Sequence, residues 1–345
     1  MDRYPFPKID LHLHLDGSML PETAWKLARE RNIPMPADTL EEFRNFIVLT
    51  ADCKSVNEYL KRFEMPLSIL QDRDSLARVT RELVSLLSAQ GLAYAEIRFA
   101  PQLHTRKGMA QRDAVEAVLS GLREALAECP SIQAGILLCA MCIGSEKANE
   151  AENLLTVELA KEFLGQGVVG VDLAGAEGIV PLSRFAPVFA RASKLGVPFT
   201  CHAGDSQGAD TVKAALDFGA KRIGHGHHIV LDRALCARAI RDGVTLEICP
   251  TSNIQCQTQP SYEAHPLKRL IQMGVPCTIT TDNMILSDIS LDKEYDHCTH
   301  AMGLSYADLI RCNINSARAA FLADAPKAAL IEALLACLDT LPDKI

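Results

Sequence analysis

The sequence predicts an α/β protein whose parallel strands close into a (β/α)8 barrel, with a helical insertion after the first strand and C-terminal helices. Eight short apolar segments recur along the 345 residues, and most of them end in a polar residue or a glycine. Helical patterns lie between neighbouring segments in the second half of the chain, which is typical of repeated βα units. The sequence contains no glycine-rich dinucleotide fingerprint, which favours a closed barrel over an open doubly wound sheet.

Eight predicted strands are spread along the chain. We place the strands at residues 9–15, 92–99, 132–142, 168–173, 197–201, 222–224, 244–248 and 275–279. The stretch from 21 to 90 carries several helical patterns and forms the predicted insertion. Near the C-terminus, Ser305 is followed three positions later by Asp308, a capping signal that begins a helix. No low-complexity linker or internal repeat divides the sequence, so we expect one domain over residues 1–345.

The composition is typical of a compact globular protein. Hydrophobic residues make up 48% and charged residues 23% of the chain, which excludes intrinsic disorder. The net charge is −8 and no basic stripe interleaves with aromatic residues, which argues against nucleic acid and anionic membranes as partners. Because neither a signal peptide nor a membrane span is visible, we expect a cytoplasmic protein. The twelve cysteines are scattered through apolar segments, and we expect most to be buried, reduced thiols.

The first predicted strand carries a candidate metal site. Side chains alternate between the two faces of a strand, so Asp10, His12, His14 and Asp16 share one face and the intervening leucines occupy the other. Two imidazoles two residues apart on one face can bind a single metal ion. The alternative is a polar strand face that is open to solvent. If the face is buried, it needs a ligand, because burying polar groups without one carries a large desolvation cost.

Further polar side chains stand at the ends of three other strands. His202 follows the fifth segment, His225 follows the sixth and Asp282 follows the eighth. In a (β/α)8 barrel the carboxyl ends of the strands meet at one mouth, where catalytic residues lie. Three imidazoles and one carboxylate suit a catalytic zinc ion that keeps a position for water. The sequence therefore predicts a zinc site at this mouth.

A competing motif lies in the same region of the chain. Residues 204–208 match G-x-S-x-G, between a predicted strand and a predicted helix, which is the context of a nucleophile elbow. On that interpretation Ser206 is the nucleophile of a serine hydrolase. The interpretation leaves the histidines of the first strand and Asp282 without a role.

The motifs together resemble those of the adenosine deaminase family of metal-dependent amidohydrolases, and of its bacterial members in particular, over nearly the full length. The segments that carry the resemblance occur in the family's order, and they are 8–18 (KIDLHLHLDGS), 94–101 (YAEIRFAP), 172–175 (DLAG), 202–204 (HAG), 222–226 (RIGHG), 249–253 (CPTSN) and 281–282 (TD). The resemblance implies a (β/α)8 barrel, one zinc ion per chain and a small purine nucleoside as partner. The implied reaction is hydrolytic deamination of adenosine, and of 2′-deoxyadenosine, to the inosine product and ammonia in purine salvage.

The same resemblance assigns the metal ligands and one catalytic group. His12, His14, His202 and Asp282 would hold zinc, which lowers the pKa of a water molecule toward neutrality. His225 would orient that water or accept its proton.

The remaining assignments concern the purine nucleoside. By resemblance, Asp205 would protonate N1 of the purine, Asp16 would contact the ribose hydroxyl, and the backbone of Gly175 would contact the ring. His14 is also expected among the substrate-binding residues. Asn283 would face the purine in place of the second aspartate of many members, and its amide is already a hydrogen-bond donor.

Asp205 departs from the family pattern, because the acid after His-Ala-Gly is usually glutamate. The loss of one methylene shortens the reach by about 1.5 Å, and a general acid must come within about 3.2 Å of its target, directly or through one water. Two alternatives therefore stay open. One is a deaminase of adenine or of an N6-substituted or modified adenine compound, and the other is a zinc-holding, purine-binding protein with impaired catalysis.

Overall fold

The computed structural model describes residues 3–48, 61–144 and 149–341. Its strands are all parallel and form two four-stranded sheets with their members in sequence order. One sheet holds β1 (Lys8–His14), β2 (Leu92–Phe99), β3 (Gln133–Cys142) and β4 (Val168–Gly175). The other holds β5 (His202–Ala203), β6 (Arg222–His225), β7 (Thr245–Ile248) and β8 (Cys277–Ile279).

Main-chain hydrogen bonds join the two sheets at both seams. Between β1 and the segment after β8, the His14 N–H donates to the Asp282 carbonyl (2.7 Å) and the Asp282 N–H donates to the His12 carbonyl (2.8 Å). At the opposite seam, Val171 in β4 pairs with Phe199 just before β5. The eight strands therefore follow one another around a barrel, as the sequence predicts.

The fifth strand is the one whose predicted bounds do not overlap the observed strand, whereas the others agree exactly or to within two residues. We expected it at 197–201, and the structure has it at His202–Ala203. Pro198 has no N–H to donate, so this stretch contacts β4 only through the Val171 N–H to the Pro198 carbonyl (2.9 Å) and the Thr200 N–H to the Val171 carbonyl (3.0 Å). The regular ladder begins later, and His202 consequently lies within the strand.

Helices cover the outside of the barrel and fill much of the predicted insertion. They are α1 (Pro21–Glu30), α2 (Leu40–Ile47), α3 (Glu64–Ile69), α4 (Arg73–Ala89), α5 (Gln111–Glu128), α6 (Glu150–Glu162), α7 (Ala186–Leu195), α8 (Ala209–Asp217), α9 (Arg233–Asp242), α10 (Pro250–Gln255), α11 (Leu267–Gln272), α12 (Leu291–His300), α13 (Tyr306–Ala319) and α14 (Asp324–Asp339). Part of the insertion, 49–60, lies outside the described residues.

Two expectations from the sequence, the helix cap at Ser305 and the state of the cysteines, are confirmed. Ser305 and Asp308 form a reciprocal capping box that begins α13, with the Ser305 hydroxyl accepting from the Asp308 N–H (3.2 Å) and the Asp308 carboxylate accepting from the Ser305 N–H (2.9 Å). Every described cysteine is free, and all of them except Cys129 and Cys337 are buried. Along the described parts of the chain, each helix is too short or too polar to cross a membrane.

A buried ion-pair layer fills part of the barrel interior. Arg222, the first residue of β6, donates from Nε to Glu247 (2.6 Å) and from Nη1 to Glu96. Its Nη2 donates to the Leu11 carbonyl (3.2 Å), and the guanidinium carbon lies 4.2 Å from the ring centre of Phe321. Both carboxylates and Arg222 are fully buried. Their charges therefore compensate one another inside the barrel rather than through solvent.

We expect Arg222→Leu to destabilise the fold strongly, because it leaves Glu96 and Glu247 buried with less counter-charge. Removing one partner of a buried ion pair costs about 3–5 kcal/mol, to be measured as the free energy of unfolding in urea. Arg241, whose side chain is 68% exposed, provides the matched control, and Arg241→Leu is expected to change that free energy by no more than about 0.5 kcal/mol. Equal free energies of unfolding for the two variants would contradict a stabilising role for this ion-pair layer.

Candidate metal centre

Three imidazoles converge at the carboxyl-terminal mouth of the barrel. His12 and His14 lie on the same face of β1, with ring centres 5.4 Å apart, while Leu11 and Leu13 on the other face are fully buried. His202 enters from β5, and its ring centre lies 4.5 Å from that of His12 and 5.5 Å from that of His14. The alternation of β1 therefore places its histidines as the sequence predicts.

Asp282 and His225 complete the cluster from the ends of β8 and β6. Asp282 Oδ1 lies 3.3 Å from His14 Nε2 and 3.6 Å from His12 Nε2. The His225 ring centre lies 5.0 Å from that of His12 and 5.2 Å from that of His202. His225 (φ 58°) and Asp282 (φ 60°) both have left-handed backbone conformations. Such strain in non-glycine residues is typical of functional sites, where the surrounding structure holds it in place.

The donor atoms of this cluster fit a metal ion. Nitrogen and oxygen ligand atoms of His12, His14 and Asp282 lie within 4.8 Å of one another, and so do those of His12, His202 and His225. His12 Nε2 is buried and makes no hydrogen bond to any described group. A buried polar atom without a partner is costly, and imidazole with carboxylate is a donor set that divalent transition metals prefer. The residues present therefore fit a metal centre.

Two buried carboxylates lie next to the Nδ1 atoms of His12 and His202 and orient these two rings. His12 Nδ1 lies 2.9 Å from Glu247 Oε2, and His202 Nδ1 lies 2.9 Å from Asp172 Oδ2. Arg98 joins the two carboxylates, donating from Nη1 to Asp172 (2.9 Å) and from Nη2 to Glu247 (2.8 Å). Burial alone would raise the pKa of Asp172, but His202 and Arg98 outweigh it and keep that pKa below its ordinary value. Carboxylates behind metal-binding histidines fix the ring orientation and increase ligand basicity.

The protonation of His12, His14 and Asp282 suits metal binding, whereas for His202 the effect of burial is outweighed by Asp172, which raises the pKa of that imidazole above its ordinary value. Burial lowers the pKa of His12, and the nearby Arg98 lowers it further. Burial holds the pKa of His14 well below its ordinary value of 6.5. Burial alone would raise the pKa of Asp282, but its contacts with His12 and His14 keep it well below the ordinary range. Neutral imidazoles beside an ionised carboxylate are the forms that bind a metal.

Gly224 gives the histidines the room they need. A Cβ atom at this position would lie 3.0 Å from His12 Cε1 and 3.2 Å from His202 Nδ1. Both separations are tighter than ordinary contacts, so a larger residue would push the two imidazoles out of place. Gly224, the residue before His225 in β6, therefore leaves the space that the two imidazoles occupy.

Asp205 lies beside His225 in a small polar network. Its Oδ1 accepts hydrogen bonds from Asn253 Nδ2 (2.8 Å) and Thr258 Oγ1 (3.1 Å), and it lies 3.7 Å from His225 Nδ1. Asn253 Nδ2 also lies 3.1 Å from His225 Nδ1. His227, to which sequence analysis assigned no role, is also fully buried here, with its Nδ1 4.0 Å from Asp205 Oδ1.

The turn that carries Asp205 is built around the carboxylate of Glu177. That carboxylate accepts from the backbone N–H groups of Gly204 (2.6 Å), Asp205 (3.0 Å), Ser206 (2.8 Å) and Gln207 (3.0 Å). The Ser206 hydroxyl lies 3.3 Å from the Glu177 carbonyl oxygen and 3.4 Å from its Oε2. Ser206 thus faces an acid rather than a histidine base. The G-x-S-x-G match is explained by a turn that wraps an anion.

Two neighbouring cavities open beside the cluster. The larger, of about 380 Å³, is lined by His14, Asp16 and Gly175 and by mostly apolar side chains. The smaller, of about 190 Å³, shares Gly175 and reaches His202 and Glu177. Gly175 thus lines both cavities, one of which reaches His14 of the metal cluster and the other His202. Their size suits a small organic molecule.

Asn283 is buried next to the cluster, with 2% of its surface exposed. Its side chain lies against Gly17, where a Cβ atom would come within 1.8 Å of Asn283 Oδ1. The structure thus brings this residue to the mouth of the barrel, packed on the turn that follows β1.

Sequence reasoning missed two acids that shape the site. Glu247 stands between Leu246 and Ile248 in β7, so the alternation of a buried strand could have marked it as an interior carboxylate. Glu177 lies in the loop after β4, where no periodic signal exists. Its role depends on how the loop folds against the turn after β5.

Comparison with known proteins gives one family across the chain. The adenosine deaminase family profile matches residues 7–337. An adenosine deaminase of Haemophilus ducreyi is 41% identical over 326 residues, which cover 94% of each chain. An adenosine deaminase of Enterococcus faecalis is 37% identical over 316 residues, which cover 92% of each.

Solved structures of deaminases and related hydrolases share the fold. An adenine deaminase from Arthrobacter aurescens superposes with a TM-score of 0.87 at 25% identity, covering 97% of this chain and 99% of that one. A zinc-bound amidohydrolase from Burkholderia ambifaria has a TM-score of 0.88 at 25% identity, covering 97% and 91%. Arabidopsis ADAL in complex with IMP has a TM-score of 0.82 at 26% identity, covering 97% of both chains. These similarities confirm the α/β barrel.

We expect Asp172→Asn to weaken metal binding, because the neutral amide is a poorer acceptor for His202. Loss of such a supporting group typically costs about 10–100-fold in metal affinity, to be measured by competition with a chelator using Zn²⁺ as the probe. Asp205→Asn is the matched control, since Asp205 supports no histidine of the proposed ligand set, and its affinity should equal that of the natural protein. Equal losses in the two variants would contradict a specific role for Asp172.

Proposed function

The chain belongs to the adenosine deaminase family, and from this membership we propose that it is a zinc-dependent hydrolase that deaminates adenosine and 2′-deoxyadenosine. The products are inosine or 2′-deoxyinosine and ammonia. The observation that carries the proposal is the convergence of His12, His14, His202 and Asp282 at the barrel mouth. Within this cluster, the buried Nε2 of His12 makes no hydrogen bond to any described group. Relatives at 34–41% identity over most of the chain bear the name adenosine deaminase, which supports the choice of substrate.

We assign His12, His14, His202 and Asp282 to the metal. The zinc bound by the similar Burkholderia ambifaria structure supports zinc as the natural ion. When bound, zinc would polarise a water molecule and make it nucleophilic near neutral pH. The carboxylates behind the histidines would keep the ligands oriented.

His225 would orient the attacking water or take its proton. Asn253 holds the ring through Nδ1, and the ring stands about 5 Å, centre to centre, from those of two ligand histidines. A general base acts only within hydrogen-bond reach of the proton that it removes. A fixed ring at this distance from the ligands suits that task.

Asp205 would protonate N1 of the purine as water attacks C6, before ammonia leaves. Asn253 and Thr258 both donate to Oδ1, which leaves Oδ2 as the atom that would carry a proton toward the ring. Glu177 fixes the backbone of the turn, so the shorter aspartate is presented from a defined place. The acid therefore retains the chemistry that the family's glutamate supplies.

The ribose end of the substrate would lie in the larger cavity. Burial raises the pKa of Asp16 to about 6, and its carboxyl oxygens can accept from a ribose hydroxyl. His14 lines the same cavity, and the Gly175 backbone would contact the ring. Asn283 would offer its amide toward the purine from the turn after β8.

A second candidate is a deaminase that prefers adenine or an N6-substituted adenine compound. The similarity to the adenine deaminase of Arthrobacter aurescens favours it, and so does the aspartate in place of the family's glutamate. A shorter acid would fit a purine that sits deeper or is shifted. A zinc-holding protein with impaired catalysis would bind the same ligands without releasing ammonia.

We expect the zinc-replete protein to release ammonia from adenosine, measured beside an Asp205→Glu variant. Asp205 keeps a protonatable group at the turn, so the natural protein should be active. The cavity at Asp16 would receive a ribose, so adenosine should react faster than adenine. Formation of inosine is the common readout for adenosine and N6-methyladenosine, because the latter would release methylamine, and adenosine should again be the faster substrate. Chelation should abolish the activity, which separates this reaction from serine hydrolysis. A silent natural protein with an active Asp205→Glu variant would point to another purine or to a binding role.

We expect His225→Ala to retain zinc and lose turnover, because His225 acts on the water rather than holding the ion. Loss of a general acid–base group typically slows turnover about 10²–10⁴-fold, and metal content is measured in the same sample. His12→Ala should lose metal and turnover together. The exposed His300 in α12 provides the control, and His300→Ala should match the natural protein in both measurements. Loss of zinc in His225→Ala would contradict this prediction and identify His225 as a metal ligand.

A further inference from the structure

A buried histidine outside the metal cluster donates a hydrogen bond to Asn253. His265 is buried just before α11, and its Nδ1 accepts from the N–H of Leu267, the first residue of that helix (3.1 Å). Its Nε2 lies 3.2 Å from Asn253 Oδ1. Burial lowers the pKa of His265 to about 3, so the ring is neutral and carries one hydrogen. Because Nδ1 is an acceptor, that hydrogen lies on Nε2 and is donated to Asn253.

The amide of Asn253 connects His265 to two groups of the candidate site. Asn253 Nδ2 lies 2.8 Å from Asp205 Oδ1 and 3.1 Å from His225 Nδ1. A backbone N–H can only donate a hydrogen bond, and an ionised carboxylate can only accept one. The chain of hydrogen bonds from Leu267 to Asp205 therefore runs in one direction. The amide oxygen faces His265, and the amide nitrogen faces the site.

The same amide determines how His225 is oriented. An amide NH2 group has no lone pair to accept with, so His225 Nδ1 must accept from Asn253 Nδ2. In the neutral form of His225 the hydrogen then lies on Nε2, and the ring can donate to the attacking water, the first of the two roles proposed for it. A reversed amide would instead place the hydrogen on Nδ1 and free the lone pair of Nε2. Because a ring nitrogen of His225 lies within 4.8 Å of those of His12 and His202, such a ring would become a candidate metal ligand.

The acid alone does not hold the amide in this orientation. To deliver a proton, Asp205 must first carry one, and a protonated carboxyl group can donate as well as accept. In that form it can bond to either end of the Asn253 amide, and so can a neutral His225. The N–H of His265 can bond only to the amide oxygen. Among the described polar partners of this amide, His265 is therefore the one that permits a single orientation at every stage of the reaction.

We propose that His265 is a positioning residue that fixes the orientation of the Asn253 amide toward Asp205 and His225. The inference rests on the proposed function, which gives the acid and the imidazole their roles. The bland alternative is that His265 only caps the first turn of α11 through its Nδ1.

Two substitutions separate these roles. Counted in bonds from Cβ, the amide nitrogen of glutamine stands where His265 has Nε2, so His265→Gln keeps a donor for Asn253. The amide group of asparagine stands where His265 has Nδ1, so His265→Asn keeps an acceptor for the Leu267 N–H and offers no donor to Asn253.

We expect His265→Asn to lower kcat for adenosine roughly tenfold, the scale of one buried hydrogen bond left unmade, and His265→Gln to stay within about threefold of the natural protein. KM and zinc content should be unchanged in both, because neither substitution touches the substrate or the metal ligands. The exposed His300 provides the control, and His300→Asn should match the natural protein. Equal losses in His265→Asn and His265→Gln would overturn the inference.

A double-variant cycle tests whether His265 acts through Asn253. Asn253→Ala removes the amide, so adding His265→Asn to it should cause no further loss of kcat. Losses that multiply in the double variant would mean that the two residues act independently, which would overturn the inference.

The position of the hydrogen on His225 provides a measurement that does not require turnover. In ¹⁵N NMR of the histidine-labelled, zinc-replete protein at about pH 8, where an ordinary imidazole is neutral, Nε2 of His225 should carry the hydrogen. His225→Ala assigns the signals. His265→Gln should keep this form, and His265→Asn should shift hydrogen toward Nδ1.

Hydrogen on Nδ1 of His225 in the natural protein, alone or together with Nε2, would overturn the inference, and so would an unchanged His225 ring in His265→Asn. A natural protein that shows the expected ring forms but releases no ammonia from adenosine would instead defeat the proposed function, and the role of His265 in orienting the amide would stand.

Discussion

The site at the barrel mouth depends on how one buried guanidinium balances two buried carboxylates. Arg98 donates to both Asp172 and Glu247, and each of these acids supports one histidine of the cluster. Without Arg98, Asp172 would lose its guanidinium partner and Glu247 would keep only Arg222, so burial would favour protonation of Asp172 and weaken it as an acceptor for His202. Because Arg98 comes from β2 and the acids from β4 and β7, a single side chain couples strands on opposite sides of the barrel. The metal centre and the barrel core are therefore one electrostatic unit.

Rigidity at the mouth comes from the strand ends as well as from charge. The left-handed conformations of His225 and Asp282 cost free energy, and they persist because the neighbouring backbone hydrogen bonds fix them. Glu177 acts similarly on the turn after β5, where four backbone N–H groups surround one carboxylate. Groups that need a defined position thus lie on strand ends or on the turn that the Glu177 carboxylate holds.

Much of this arrangement could be read from the sequence, and the exceptions have physical reasons. Strict alternation in β1 identified His12 and His14, because period two determines which side chains share a face. The bounds of β5 were wrong because Pro198 interrupts the ladder, an effect that depends on the neighbouring strand. The support that Glu247 and Glu177 give involves partners far away in the chain. Such contacts arise from tertiary structure, and no local pattern encodes them.

The seam between β1 and the segment after β8 has a consequence for how the protein folds. His14 and Asp282 are hydrogen-bonded through their backbones across that seam, although they stand near opposite ends of the chain. Contacts of such large sequence separation form late, because closing the long loop between them must precede any stabilisation that they provide. During synthesis, the first strand therefore waits unpaired on one edge until the eighth has left the ribosome. Metal uptake at this site consequently reports that the whole ring has closed.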